Sequence, residues 1–115
     1  MFGIMIYHLA KIAAWEAAQK NASYRGTDAD RVDGFLHFST ASQIAESARK
    51  HRAGETDLIL LAVDEAALGD ELVWEESRGG KLFPHIYGDV AVDSVVSATP
   101  LPLGPTGEHV FPDLE

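Results

Sequence analysis

Asp33-Gly34-Phe35-Leu36-His37-Phe38-Ser39-Thr40 is the stretch on which the reading of the chain turns. It has the pattern of an apolar strand, but a histidine is set into it and two hydroxyls close it. Successive strand residues point to opposite faces, which groups Phe35, His37 and Ser39 on one side and Leu36 and Phe38 on the other. Thr40 and Gln43 then have the spacing of a helix capping box. The strand is therefore expected to run straight into a helix start whose free amides favour a polar or anionic group. The alternative is plainer: His37 is a core histidine satisfied by a backbone carbonyl, and Ser39 or Thr40 is only the cap.

Working outward toward the N-terminus, Asn21 to Asp33 carries Asn, Ser, Gly and Asp without a sustained period and reads as a loop. Before it, the alanine-rich segment from Ala10 to Lys20 predicts a helix packed through Ile12, Trp15 and Ala18. Ile4 to Leu9 alternates as a strand, with Ile6 and His8 on one face and Tyr7 and Leu9 on the other. Toward the C-terminus, a helix with Ile44, Ala45 and Ala48 inward runs to Gly54. The unbroken Leu58-Ile59-Leu60-Leu61-Ala62-Val63 suits a strand covered on both faces, in the middle of a sheet. Asp64 caps a short helical turn, and Leu72 to Glu75 alternates so that Glu75 lies opposite Trp74.

Ser77-Arg78-Gly79-Gly80 is hairpin chemistry, returning Lys81 to Gly88 with Phe83, His85 and Tyr87 on one side. Pro84 has no amide to donate, which predicts an edge or bulged strand. Val90 to Val96 reads as a connection and Ser97 to Leu103 as a last extended segment. The whole, residues 1–115, is expected to be a single α+β domain with mixed, mainly antiparallel split sheets and two main helices. Its core spans about residues 4–103, and 104–115 form a loosely attached tail.

Composition narrows the function. The 115 residues include no cysteine, which excludes disulfides and a cysteine nucleophile. The net charge of -9 repels polyanions, so nucleic acid is not an expected partner; Arg49-Lys50-His51-Arg52 reads as a helix end answering the helix dipole. No apolar run approaches a membrane span, and the opening Met1 to Ile6 lacks the basic flank of a signal peptide, which suggests a cytoplasmic protein. A small-molecule or nucleotide ligand is the expected partner. Oligomeric state is left open.

Polar groups end several of the apolar strands: His8, His37 with Ser39, Glu75, and His85 beside Tyr87. If the strands come together these side chains share one cleft, where imidazoles and a carboxylate offer acid, base or ligand roles. The alternative is that each is separately satisfied or exposed. No dinucleotide fingerprint, phosphate loop or nucleophile elbow is present. No bound metal is expected, although a zinc site assembled from different strands stays open. His51 and His109 fall on a helix end and in the tail and are set aside.

Ile6-Tyr7-His8, Trp15-Glu16-Ala17-Ala18, Gly34 to Thr40, Trp74-Glu75 and Phe83-Pro84-His85-Ile86-Tyr87-Gly88 together resemble the small bacterial family called domain of unknown function 952, from about Ile4 to Pro112. That resemblance implies a fold similar to the ADP-ribosyltransferases, in which two small antiparallel sheets with flanking helices form a cleft for NAD. It implies that His8 takes the first-strand role with Tyr7 behind it, that His37, Ser39 and Thr40 line the pocket, and that Glu75 is the late acid. His85 and Tyr87 belong to the narrower family's motif. No tightly bound cofactor is implied; NAD would be a substrate. Two other readings stay open: a non-catalytic nucleotide-binding or interaction module, and a metal-assisted hydrolase.

Overall fold

The computed structural model describes residues 4–114, so Met1 to Gly3 and Glu115, part of the opening segment and of the tail read above, lie outside it. Two three-stranded sheets carry the fold. The first has the order β1 (Met5–Lys11), β4 (Leu58–Asp64), β8 (Val95–Pro100). The second has the order β3 (Leu36–His37), β6 (Leu82–Ile86), β5 (Leu72–Glu76). A two-stranded ribbon pairs β2 (Ser23–Tyr24) with β7 (Val90–Ala91). Every named strand pair among the described residues is antiparallel, so the expected mixed sheet gives way to antiparallel ones within the same α+β class.

β4 is central, and its unbroken apolar run is explained by two cores. Ile59, Leu61 and Val63 face the space between the sheets with Ile6, Trp15, Tyr24, Leu36, Phe38 and Ile86. Leu58, Leu60 and Ala62 face the other way, where Ile44 and Ala48 and the C-terminal Phe111 and Leu114 cover them. Burying each of these large side chains stabilises the fold by about 1.5–3 kcal/mol. Helix α1 (Ile12–Asn21) packs through Trp15 and Ala18, and α3 (Ile44–His51) through Ile44, Ser47 and Ala48.

The segment from Phe35 to Thr40 joins the two sheets. Leu36 and His37 pair with Ile86 and His85 of β6. Two residues later Ser39 exchanges both backbone hydrogen bonds with Tyr7 of β1, each 2.8 Å. Pro84 explains why the strand changes partner. Its carbonyl accepts from the Phe38 amide at 3.0 Å. In an antiparallel ladder a residue's amide and carbonyl point the same way, so the donor that proline lacks is missing on the β3 side, just where β3 ends. The proline therefore sits in the central strand of its sheet, not at an edge as its chemistry suggested, because the one bond it cannot make falls at the last residue paired with it, Phe38, after which Ser39 turns to Tyr7 of β1.

Three further expectations are corrected. Residues 21–33 are not a plain loop: β2 and a third helix, α2 (Asp28–Asp33), lie within them, started by a capping box between Thr27 and Asp30. The box expected at Thr40 is half made: Gln43 Oε1 accepts from the Thr40 amide at 2.9 Å, while Thr40 Oγ1 meets Ser42 Oγ. The Val90–Val96 connection contains β7 and the start of β8. The tail folds back, with Leu103 bridging to His109, the His109 ring donating to the Glu55 carbonyl at 2.7 Å, and Phe111 and Leu114 against the outer core.

Candidate functional site

Alternation along β1, β3 and β6 sets the site. His8 shares the inner face of β1 with Ile6 and Ala10, so its ring enters the space between the sheets and stacks on Phe38 at 4.9 Å. His37 and His85 are directly opposed in the β3–β6 ladder, and their rings meet at 5.6 Å. Phe35, two residues before His37, stacks on His85 at 4.2 Å and 29°, and also touches His37 and Tyr87. A groove of about 730 Å³ opens beside these rings, lined by His8, His37, Ser39 and His85 together with Asp30, Asp33 and Ser47. His51, set aside on its sequence position, lines it too, and Lys11 and Arg52, both bound to Glu55, stand along it.

The hub of this arrangement is Asp30, whose carboxylate is 3% exposed. It accepts from the His37 ring at 2.6 Å, from the His37 amide at 3.1 Å and from the Thr27 amide at 2.8 Å. Burial works against its charge, but these hydrogen bonds, led by that of His37, hold the carboxyl down at about 2. His37 faces a second carboxylate, with Nε2 3.0 Å from Asp33. Its hydrogen bond to Asp30 raises its pKa against partial desolvation, so both nitrogens carry protons and the ring is the cation of the pair.

His8 is the opposite case. Burial pushes its pKa down, outweighing the pull of Asp30. Its Nδ1 lies 2.7 Å from the His37 carbonyl, which can only accept, so Nδ1 carries the proton and Nε2 accepts from the Tyr24 hydroxyl, also at 2.7 Å. The 3.6 Å approach of His8 Nε2 to Asp30 is then a contact of two acceptors and not an ion pair. The role imagined for His37, a histidine satisfied by a backbone carbonyl, is filled by His8, and His37 supplies the carbonyl. Burial, then Asp30, pushes the Tyr24 pKa up, which keeps the phenol a donor.

Glu75 and Tyr87 join the site from the open face of the second sheet. His85 Nδ1 donates to Glu75 Oε1 at 2.7 Å, and the Tyr87 hydroxyl donates to the same oxygen at 2.8 Å. These bonds, His85 first, hold the Glu75 carboxyl below its usual range, and Glu75 in turn raises Tyr87. Neither Glu75 nor Tyr87 lines the groove; they stand behind His85. Tyr7 lies in the outer core and serves through its backbone, and Thr40 does not border the groove. Ser39 does, with its hydroxyl 3.1 Å from Ser47. Among the described residues no group of three or more His, Asp or Glu side chains is arranged to hold a metal ion.

Sequence reasoning missed Asp30, Asp33 and Tyr24. A signal was present: Thr27-x-x-Asp30 has capping-box spacing, and a helix there sets Asp33 four residues before His37. Nothing local could pair Tyr24 with His8.

A family model described as a protein of unknown function, DUF952, matches residues 9–98. The crystal structure of protein CC0527 from Caulobacter crescentus is 39% identical over 92% of this chain and 93% of that one, with a TM-score of 0.89. The solution NMR structure of CC0527 aligns at 39% identity over 90% of each chain, with a TM-score of 0.81. Among curated proteins none matches. With most of its length matched by the family model, the chain belongs to the DUF952 family.

Proposed function

We propose that the groove binds NAD or an ADP-ribose derivative and that the protein is a small enzyme of ADP-ribosyltransferase type. One observation carries the proposal: His8, His37, Ser39 and His85 border a single groove at the seam where Ser39 ties one three-stranded sheet to the other. A volume of about 730 Å³ lies within the roughly 300–1,000 Å³ of small-ligand sites. Cleaving the nicotinamide bond builds positive charge on the ribosyl carbon, which the carboxylates around the groove stabilise electrostatically. Glu75, the acid implied by the resemblance, acts on that site through His85.

A second reading has its own support. Both ring nitrogens of His8 and of His37 are already engaged, which suits a non-catalytic nucleotide-binding module. One experiment separates the two. NAD and ADP-ribose are added to the wild type and to His37→Ala, with melting temperature and nicotinamide release followed. A ligand-induced rise in the wild type that is lost in the still-folded variant, with nicotinamide released, supports the enzyme. The same rise without release supports the module, and no rise with either ligand removes both.

A further inference from the structure

We propose that His85 is the catalytic base of the groove and that Glu75 and Tyr87 are positioning residues that fix its proton. The assignment follows from where the nitrogens of His8, His37 and His85 go. His8 donates through Nδ1 to a carbonyl and accepts through Nε2 from Tyr24, so it has no lone pair to spare. His37 has a carboxylate at each nitrogen and is doubly protonated, so it has none either. His85 bonds through Nδ1 alone: the Glu75 carboxylate accepts there at 2.7 Å, and among the described residues Nε2 has no partner. An ionised carboxylate can only accept, so Nδ1 holds a proton, and in the neutral ring it is Nε2 that carries the lone pair.

The surroundings of the ring fit that role. Phe35 stacks on it, the strand ladder fixes its backbone opposite His37, and it is 7% exposed while bordering the groove. Tyr87 donates to the same Glu75 oxygen and so holds the carboxylate as well. Base, orienting carboxylate and a second donor on that carboxylate form the arrangement that activates an oxygen nucleophile on unrelated folds.

The substrate pair is a water or acceptor hydroxyl and an electrophilic ribosyl carbon, and this part rests on the NAD reading above. The hydroxyl proton passes to Nε2, the oxygen's electron pair forms the new bond to carbon, and the carbon–nitrogen bond breaks with its pair returning to the nicotinamide nitrogen. The resulting imidazolium faces Glu75 and then releases its proton to solvent.

The base assignment is tested without any nucleotide. In long-range proton–nitrogen NMR spectra, His85 of the wild type shows the Nδ1–H tautomer, and Glu75→Gln shows a mixture. Diethyl pyrocarbonate, which acylates an imidazole lone pair, labels His85 of the folded protein at least tenfold faster than His8 or His37 in peptide mapping. In Tyr87→Phe that rate falls severalfold. An Nε2–H tautomer, or a His85 that stays unlabelled while the protein is folded, overturns the assignment. If nicotinamide release is observed, His85→Asn abolishes it in protein that still melts cooperatively; release that survives in this variant also overturns the assignment. Wild-type chain with the expected tautomer and labelling but no response to NAD or ADP-ribose removes the NAD reading and leaves the base standing.

Discussion

At the scale of single residues, Asp30 sets the charge of His37. A carboxylate buried to 3% exposure is costly unless its oxygens are used, and here one oxygen serves the His37 ring and amide and the other the Thr27 amide. The two members of the pair give opposite pH dependences. Asp30 titrates lower in the fold than its ordinary value of 3.8, so its contribution is complete above about pH 4 and is lost as pH falls through about 2. His37 titrates higher than 6.5, so its contribution is complete below that value and is lost as pH rises through the raised one. Stability should therefore be greatest between these limits. Asp30→Asn removes the charge but keeps the shape, and is expected to cost about 2–3 kcal/mol, less than a wholly buried pair because the His37 ring is 43% exposed. Urea unfolding at pH 5.5 and at pH 9 checks both points: the variant's deficit should shrink at the higher pH, and a deficit that grows there contradicts the pairing.

At the scale of elements, α2 is only six residues long and is held by its ends. Its capping box at Thr27 is closed by Asp30, so the residue that starts the helix is the one that clamps His37. Gly26, just before the cap, has φ +90°, and a Cβ placed there would lie 2.8 Å from Asp30 Oδ2 and 3.1 Å from Leu36 Cγ. Gly26→Ala thus combines an unfavourable backbone with a clash against the clamp. It is expected to cost about 1–3 kcal/mol. It should also weaken hydrogen-exchange protection at the Asp30 and His37 amides more than at β4, and a uniform loss over the whole chain would argue against α2 as a separately held unit.

At the scale of the molecule, β4 is buried on both faces, and the outer face is finished by α3 and by the returning C-terminus. Ending the chain after Leu103 strips Phe111 and Leu114 from that face and removes the His109 bond to Glu55, a residue of the groove. Those side chains are partly buried, so the expected loss is about 2 kcal/mol, read as a lower urea midpoint. A truncated chain as stable as the full one would mean that the tail only rests on the core.

The sequence by itself determined what depends on neighbours along the chain. The alternation of Ile6-Tyr7-His8-Leu9 put His8 on an inner face, and the unbroken run from Leu58 to Val63 marked the central strand. The order Trp74-Glu75, turn, Phe83-Pro84-His85 made the hairpin, and with it the meeting of Glu75 and His85. Periodicity and turn chemistry are local, so they can be read before anything folds. Tertiary structure decided what each imidazole does. Whether a histidine is neutral, cationic or left with a lone pair depends on partners 7 to 29 residues away, Asp30 for His37 and the His37 carbonyl for His8. It also decided that Pro84 could occupy a central strand, because only the paired sheet reveals which neighbour would have asked for its missing amide.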